Sequence, residues 1–116
     1  MFVTLVAGVA VARDFQCGRN DLPCIGTNND DRILERRGER QDDIRALDGN
    51  DLVNAGRYNR DRDLVDGGDG NDVLRTSDND TRDIVNGGGG DRDICIITRA
   101  RGERDETENC EIVRFR

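Results

Sequence analysis

Histidine, tryptophan and lysine are absent from this chain, and proline, tyrosine and methionine occur once each. Without histidine there is no Ser-His-Asp triad and no imidazole zinc site, and no serine stands in a GxSxG turn. Aromatic residues make up only 3%, so the stacking platforms of single-strand nucleic-acid binders are missing. The longest weakly polar run, MFVTLVAGVAVA over residues 1–12, is too short to span a bilayer as a helix. Hydrophobic residues are scarce as well, at 34% of 116 against 37% charged, with a mean hydropathy of −0.80. Apolar burial on that scale does not offset chain entropy. Disulfides or metal ions must supply the remaining cohesion.

The chain carries 25 acidic residues against 18 arginines and a net charge of −7. The arginines are interspersed with aspartate, not gathered on a run, so the chain repels phosphate backbones and attracts cations. Nucleic acid is therefore excluded as a partner. Residues 1–12 end in Ala10-Val11-Ala12, a small-x-small pattern, and read as the remnant of a secretory leader. No basic segment precedes them, and the alternative is an N-terminal strand able to pair with a neighbouring sheet edge. Export suits the four cysteines. Their spacing of seven between Cys17 and Cys24 is wrong for CxxC redox or zinc chemistry. Three pairings are formally open; sequence order favours Cys17 with Cys24 and Cys95 with Cys110, one clip at each end of a repetitive middle.

That middle holds seven successive Asp-x-U steps, where U is an apolar or branched residue: Asp31, Asp42, Asp51, Asp63, Asp72, Asp83 and Asp93. The gaps run 11, 9, 12, 9, 11 and 10, so neighbouring gaps always add to 20 or 21. The repeat unit therefore has about 20 residues, with two short strands and two turns. Doublets such as Leu64-Val65 and Ile84-Val85, bounded by Asn, Asp and Gly, exclude helices. Strands this short persist only when stacked on copies of themselves. The expected fold is all-β, a parallel β-roll or β-solenoid of three to four rungs. Ile33, Ile44, Val53, Val65, Leu74 and Val85 would form two facing apolar columns inside it. The expected organisation is the 1–12 segment, a cysteine-clipped cap over 13–26, the roll over 27–96 and a second cap over 97–116.

The short turns (46–51, 67–72 and 87–93) fall on one edge of the coil, and the long, arginine-rich turns on the other. On the short edge glycines allow positive φ, and aspartates arrive in register. Stacked carboxylates repel one another unless a hard cation lies between them, ligated by carbonyl and carboxylate oxygens at about 2.3–2.6 Å. Ca2+ suits such a turn better than Mg2+, which demands strict octahedral geometry. The candidate ligands are Asp31, Asp48, Gly49, Asp51, Gly67, Asp69, Gly70, Asp72, Gly87, Gly89, Asp91 and Asp93, with Asp63 and Asp83 on the long edge.

The segment Gly67-Gly-Asp-Gly-Asn-Asp-Val-Leu-Arg75 fills every fixed position of GGxGxDxUx and resembles the repeat of RTX, or hemolysin-type, calcium-binding proteins. Pro23-Cys-Ile-Gly-Thr27 and the terminal Gly87 to Cys95 stretch resemble the small secreted actinobacterial members. The resemblance implies a parallel β-roll with Ca2+ in its turns and calcium-dependent folding. One nonapeptide is complete: Ala46-Leu47 replaces the paired glycines of the first short turn, and Gly87 to Asp93 carries one extra residue.

Rival readings fare worse. An EF-hand loop starting at Asp61 needs glycine at its sixth position and glutamate at its twelfth, where Asp66 and Asp72 stand. A glycosidase pair would need a deep, aromatic-walled pocket. Arg57, Arg60, Arg62 and Arg82 read as solvated partners of nearby aspartates. The expected function is a secreted, non-enzymatic, calcium-binding module. The alternative is a subunit of an extracellular filament or adhesin, self-associating or surface-bound through the apolar N-terminal strand.

Overall fold

A computed structural model describes residues 13–17, 23–34, 41–56, 62–76, 83–98 and 105–116. Residues 1–12, and with them the choice between leader and strand, lie outside the described residues, as do Arg57, Arg60 and Arg82. The described residues form eleven strands and no helix: β1 (Arg13–Gln16), β2 (Cys24–Ile25), β3 (Asp31–Leu34), β4 (Asp43–Arg45), β5 (Leu52–Asn54), β6 (Leu64–Asp66), β7 (Val73–Arg75), β8 (Ile84–Asn86), β9 (Ile94–Ile97), β10 (Glu106–Glu108) and β11 (Ile112–Phe115). None exceeds four residues. Each survives because it is hydrogen-bonded to the same strand one rung away, which spreads the cost of ordering over a continuous ladder.

Odd-numbered strands form one parallel sheet, in the order β1-β3-β5-β7-β9-β11, and even-numbered strands form the other, β10-β8-β6-β4-β2. The chain alternates between the two sheets, and the fold is a β-solenoid. From β2 to β9 register is kept at 20 or 21 residues: Ile33 lies beside Val53, Val53 beside Leu74, and Leu74 beside Cys95. In the second sheet Cys24, Ile44, Val65 and Val85 line up in the same way. These side chains are at most 2% exposed, so the two inner columns form the core, one residue deep per strand.

The segments expected to cap the roll prolong it. β1 and β2 pair with β3 and β4, and β10 and β11 pair with β8 and β9. Both disulfides join the expected partners, Cys17 with Cys24 and Cys95 with Cys110. Cys24 and Cys95 occupy core positions, so the crosslinks are anchored in the apolar columns and not in peripheral loops.

Turn chemistry explains the register. Gly68 and Gly88 have φ of 81° and 86°, and a side chain at either would run into the carbonyl of the turn beneath it, Leu47 or Gly68. The turns thus stack backbone on backbone. In the first turn Leu47 holds φ at 73° in the place that glycine takes above it. A β-carbon in that region costs about 1–2 kcal/mol.

Two expectations follow for stability. Leu47→Gly raises the urea midpoint by the equivalent of about 1 kcal/mol, whereas Gly68→Ala lowers stability by about 1–3 kcal/mol. Destabilisation by Leu47→Gly, or no loss in Gly68→Ala, would show that these turns do not share one conformation. Removing the Cys95–Cys110 crosslink, which closes 15 residues, costs about 3 kcal/mol in the chain-entropy description. Non-reducing peptide mapping recovers the two end clips; a peptide joining Cys24 to Cys95 would overturn them.

Candidate functional site

Strands β3, β5, β7 and β9 of the first sheet are each entered through an aspartate, and these residues form a ladder. The Asp31 N–H donates to Asp51 Oδ1 at 2.7 Å, Asp51 N–H to Asp72 Oδ1 at 2.8 Å and Asp72 N–H to Asp93 Oδ1 at 2.8 Å. Asp93 N–H continues it to Glu111 Oε2 at 2.8 Å. The opposite edge repeats the pattern from Asp42 to Asp63 and from Asp63 to Asp83, both at 2.8 Å, and from Asp83 to Asp105 at 3.1 Å. The sequence shows these carboxylates only as stacked charges. The structure adds that every one of these acceptors binds a backbone donor from the rung before it.

A second ladder runs outside the first in the opposite sense. Asn50 N–H donates back to Asp30 Oδ1 at 2.7 Å, and Asn71 N–H donates back to Asn50 Oδ1 at 2.8 Å. Asp91 and Arg92 N–H both reach Asn71 Oδ1, at 3.1 and 3.0 Å. One acceptor thereby serves two donors and absorbs the extra residue of the third short turn. Sequence reasoning missed this ladder, although its signal, Asp30-Asp31, Asn50-Asp51 and Asn71-Asp72, recurs at the same period.

The proposed ligands separate into three groups. Asp31, Asp51, Asp72 and Asp93 form one buried column on the short edge, lined by Gly67 and Gly87. Asp48, Asp69 and Gly89 pair with one another along the exposed outside of the turns, with Gly49 and Gly70 next to them at φ of 109° and 121°; Asp91 is exposed as well. Asp63 and Asp83 are buried on the opposite edge. The fourteen residues therefore make a column, a rim and a second column, not one site.

Within the short-edge column the two ends differ from the middle. Asp31 is satisfied by its own turn, from Thr27 N–H at 2.6 Å and Thr27 Oγ1 at 2.8 Å. On the opposite edge Asp105 plays the same part, accepting from Thr76 Oγ1 at 3.0 Å and Thr98 N–H at 2.9 Å besides Asp83. Asp51, Asp72 and Asp93 have no such helper. Each leaves its Oδ2 buried without a hydrogen-bond partner, and so are Asp42 Oδ1, Asp63 Oδ2 and Asp83 Oδ2 on the opposite edge. Burial, reinforced by the neighbouring carboxylates, pushes Asp51 up to about 6 and Asp72 up to about 7 from 3.8, despite the opposing backbone hydrogen bond. Asp93 is raised for the same leading reason, with Glu111 adding to it.

The donor set suits a hard cation. A β-carbon at Gly67 would fall against Asp72 Oδ2 and 2.8 Å from the Gly87 carbonyl oxygen; at Gly87 it would lie 3.0 Å from Asp93 Oδ2, beside the Asn109 carbonyl. Glycine thus keeps a carboxylate oxygen and a main-chain oxygen of the next turn facing a common space, which in the first turn Ala46 narrows with its methyl group. Among the described residues no three His, Cys, Asp or Glu side chains converge on one point. An ion taking six to eight oxygens would draw most of them from main-chain carbonyls, asparagine oxygens and water. Thiolate or imidazole metals have no ligands in this column.

With metal chelated, the raised carboxyl groups make the folded chain bind more protons than the unfolded chain between about pH 4 and pH 7, so stability falls as pH rises through that window. The β-type circular dichroism retained in chelator is expected to be greater at about pH 5.5 than at about pH 8, and Asp72→Asn, which keeps an acceptor for Asp51 N–H, flattens the difference. Retained β structure that increases with pH would contradict the buried, unpartnered oxygens. No family model matches this chain, and no curated protein or solved structure matches it, so its geometry and chemistry alone carry the functional reading.

Proposed function

We propose that the chain is an extracellular calcium-binding β-roll that folds on binding Ca2+ and carries no catalytic activity of its own. The single observation behind this reading is the run of buried, unpartnered Oδ2 atoms on Asp51, Asp72 and Asp93. A buried carboxylate costs several kcal/mol to desolvate, and one charge-assisted hydrogen bond returns about 1.5–3 kcal/mol. The balance calls for a proton or a cation on each second oxygen, and near neutral pH a hard cation serves all three. Asp51, Asp72 and Asp93 hold it together with short-turn main-chain oxygens such as that of Gly87. Bound Ca2+ supplies charge neutralisation and a bridge between successive turns. The RTX-like Gly67–Arg75 segment supports the choice of ion, and two disulfides suit an oxidising compartment.

The two edges differ in their demand for metal. The long-edge column ends on Asp105, saturated by threonines, and Asp42, Asp63 and Asp83 each make further interactions. Both edges hold buried oxygens without a hydrogen-bond partner, and the short edge adds the glycines that leave main-chain oxygens facing them. The chelated chain is therefore expected to lose most of its β-type circular dichroism and regain it with Ca2+ near 10⁻⁴–10⁻³ M, the range of extracellular modules, but not with equal Mg2+. Asp72→Ala raises the calcium midpoint several-fold and removes one or two ions in calorimetric titration; Asp42→Ala leaves bound calcium nearly unchanged. An unaltered β spectrum and melting temperature in excess chelator would sink the proposal, and equal losses in both variants would show that both edges bind metal.

A further inference from the structure

The outward faces of the two sheets have opposite chemistry. Over β3, β5, β7, β9 and β11 the outward positions form two columns. One runs Arg32, Leu52, Val73, Ile94, Ile112, and the other Leu34, Asn54, Arg75, Ile96, Arg114. Six aliphatic side chains and three arginines stand there, with no carboxylate, in a chain of net charge −7. Leu52 is 44% exposed, and a groove of about 260 Å³ runs between Leu34, Leu52, Val73 and Ile96. Over β4, β6, β8 and β10 the outward columns are Asp43, Leu64, Ile84, Glu106 and Arg45, Asp66, Asn86, Glu108. That face has four carboxylates and one arginine, Arg45, already bound to Asp43 at 3.2 Å.

The pitch of the two faces is necessarily the same, because one coil makes both. Arg75 and Arg114 are separated by Ile96, two rungs apart, and Asp66 and Glu108 are separated by Asn86, also two rungs apart. Arg75 stands at the long-turn edge of its face and Asp66 at the short-turn edge of the other, so both arginines can meet both carboxylates at once when the second coil runs antiparallel to the first. Leu64 and Ile84 then lie against the aliphatic column of Val73, Ile94 and Ile112.

We propose that the outward face of the β3–β11 sheet docks on the outward face of the β4–β10 sheet of another copy, at the usual spacing of packed sheets. Two copies meeting through their β3–β11 faces would bury arginines against arginines, so the contact is heterologous. Each copy has both faces on opposite sides of the coil, and such a contact does not close on itself. The product is an open lateral stack. Five strands at about 4.8 Å give a face only about 20 Å long, below the roughly 800 Å² per partner of a stable interface. The association is accordingly weak and sensitive to salt. Neither face contains Asp51, Asp72 or Asp93, so the contact requires the folded coil but none of the proposed metal ligands.

Sedimentation of the whole chain in millimolar Ca2+, with circular dichroism recorded on each sample, tests it. The weight-average mass of the native chain is expected to climb past the dimer as concentration approaches millimolar, and to fall with added salt. Arg75→Glu/Arg114→Glu raises the concentration for half-association about tenfold, and so does Asp66→Arg/Glu108→Arg. Mixing the two restores open stacking in alternating order, because one variant then has two acidic faces and the other two basic faces. Should Asp66→Arg disturb its turn, Glu106→Arg/Glu108→Arg replaces it as the second variant. A mass that stays monomeric up to millimolar concentration, or association unchanged by either variant, overturns the proposal. Binding to anionic vesicles without self-association would assign the arginine-bearing face to a membrane instead, and overturn it as well.

Discussion

The structure depends on one hydrogen bond, repeated once per rung on each edge: a buried aspartate accepting the backbone N–H of the aspartate one turn earlier. It fixes where each strand begins, because the residue that donates also opens a strand or stands just before one. It fixes register as well, since slipping by one residue would place Leu52 or Val73 at the turn and Asn54 or Arg75 in the column of Val53 and Leu74. With strands of two to four residues, strand propensity is too weak to set register alone. The aspartate ladder does so at both edges, and the two apolar columns only fill the space between.

That bond explains why a chain this polar folds and why it does so conditionally. A carboxylate with one oxygen on a backbone donor has half of its demand met. At Asp31 and Asp105 threonine meets the rest. In the interior of either column the second oxygen has no hydrogen-bond partner, and on the short edge the burial that makes the column also raises Asp51 and Asp72 toward neutral pH. Replacing the aspartates by asparagine would cure the charge but remove the property that makes the coil responsive to ions.

Most of the fold was legible in the spacing. Alternating gaps near 9 and 11 can be satisfied only by a two-strand rung, and the disulfide order followed from the cysteines' places at the ends. Less legible were the limits of the roll. Glu111 ends the short-edge ladder although it is no aspartate, and Asp105 ends the other although the residues following it, Glu106, Thr107 and Glu108, carry no apolar doublet. A hydrogen bond from an N–H asks only for an acceptor at the right height. The Asp-x-U pattern, which also asks for an apolar core residue, is too strict at a rung with no neighbour above. For the same reason the outer Asp30, Asn50 and Asn71 ladder escaped notice: asparagine and aspartate are interchangeable as acceptors there, while a search for metal ligands separates them.

The position of a carboxylate along the coil decides its chemistry. Asp72, with a rung on either side within the short-edge column, is pushed up to about 7, and Asp51 to about 6. Glu111, at the far end, is exposed and reaches its donor with a longer side chain. Desolvation in a solenoid comes from the neighbouring rungs, so the demand for a counter-ion arises only once at least three rungs have stacked, and it grows toward the middle. An isolated turn would have neither the buried oxygens nor the opposing carbonyls. Ion uptake and the stacking of rungs are therefore one event: each added rung creates the site that the ion fills, and each ion removes the repulsion that opposes the next rung.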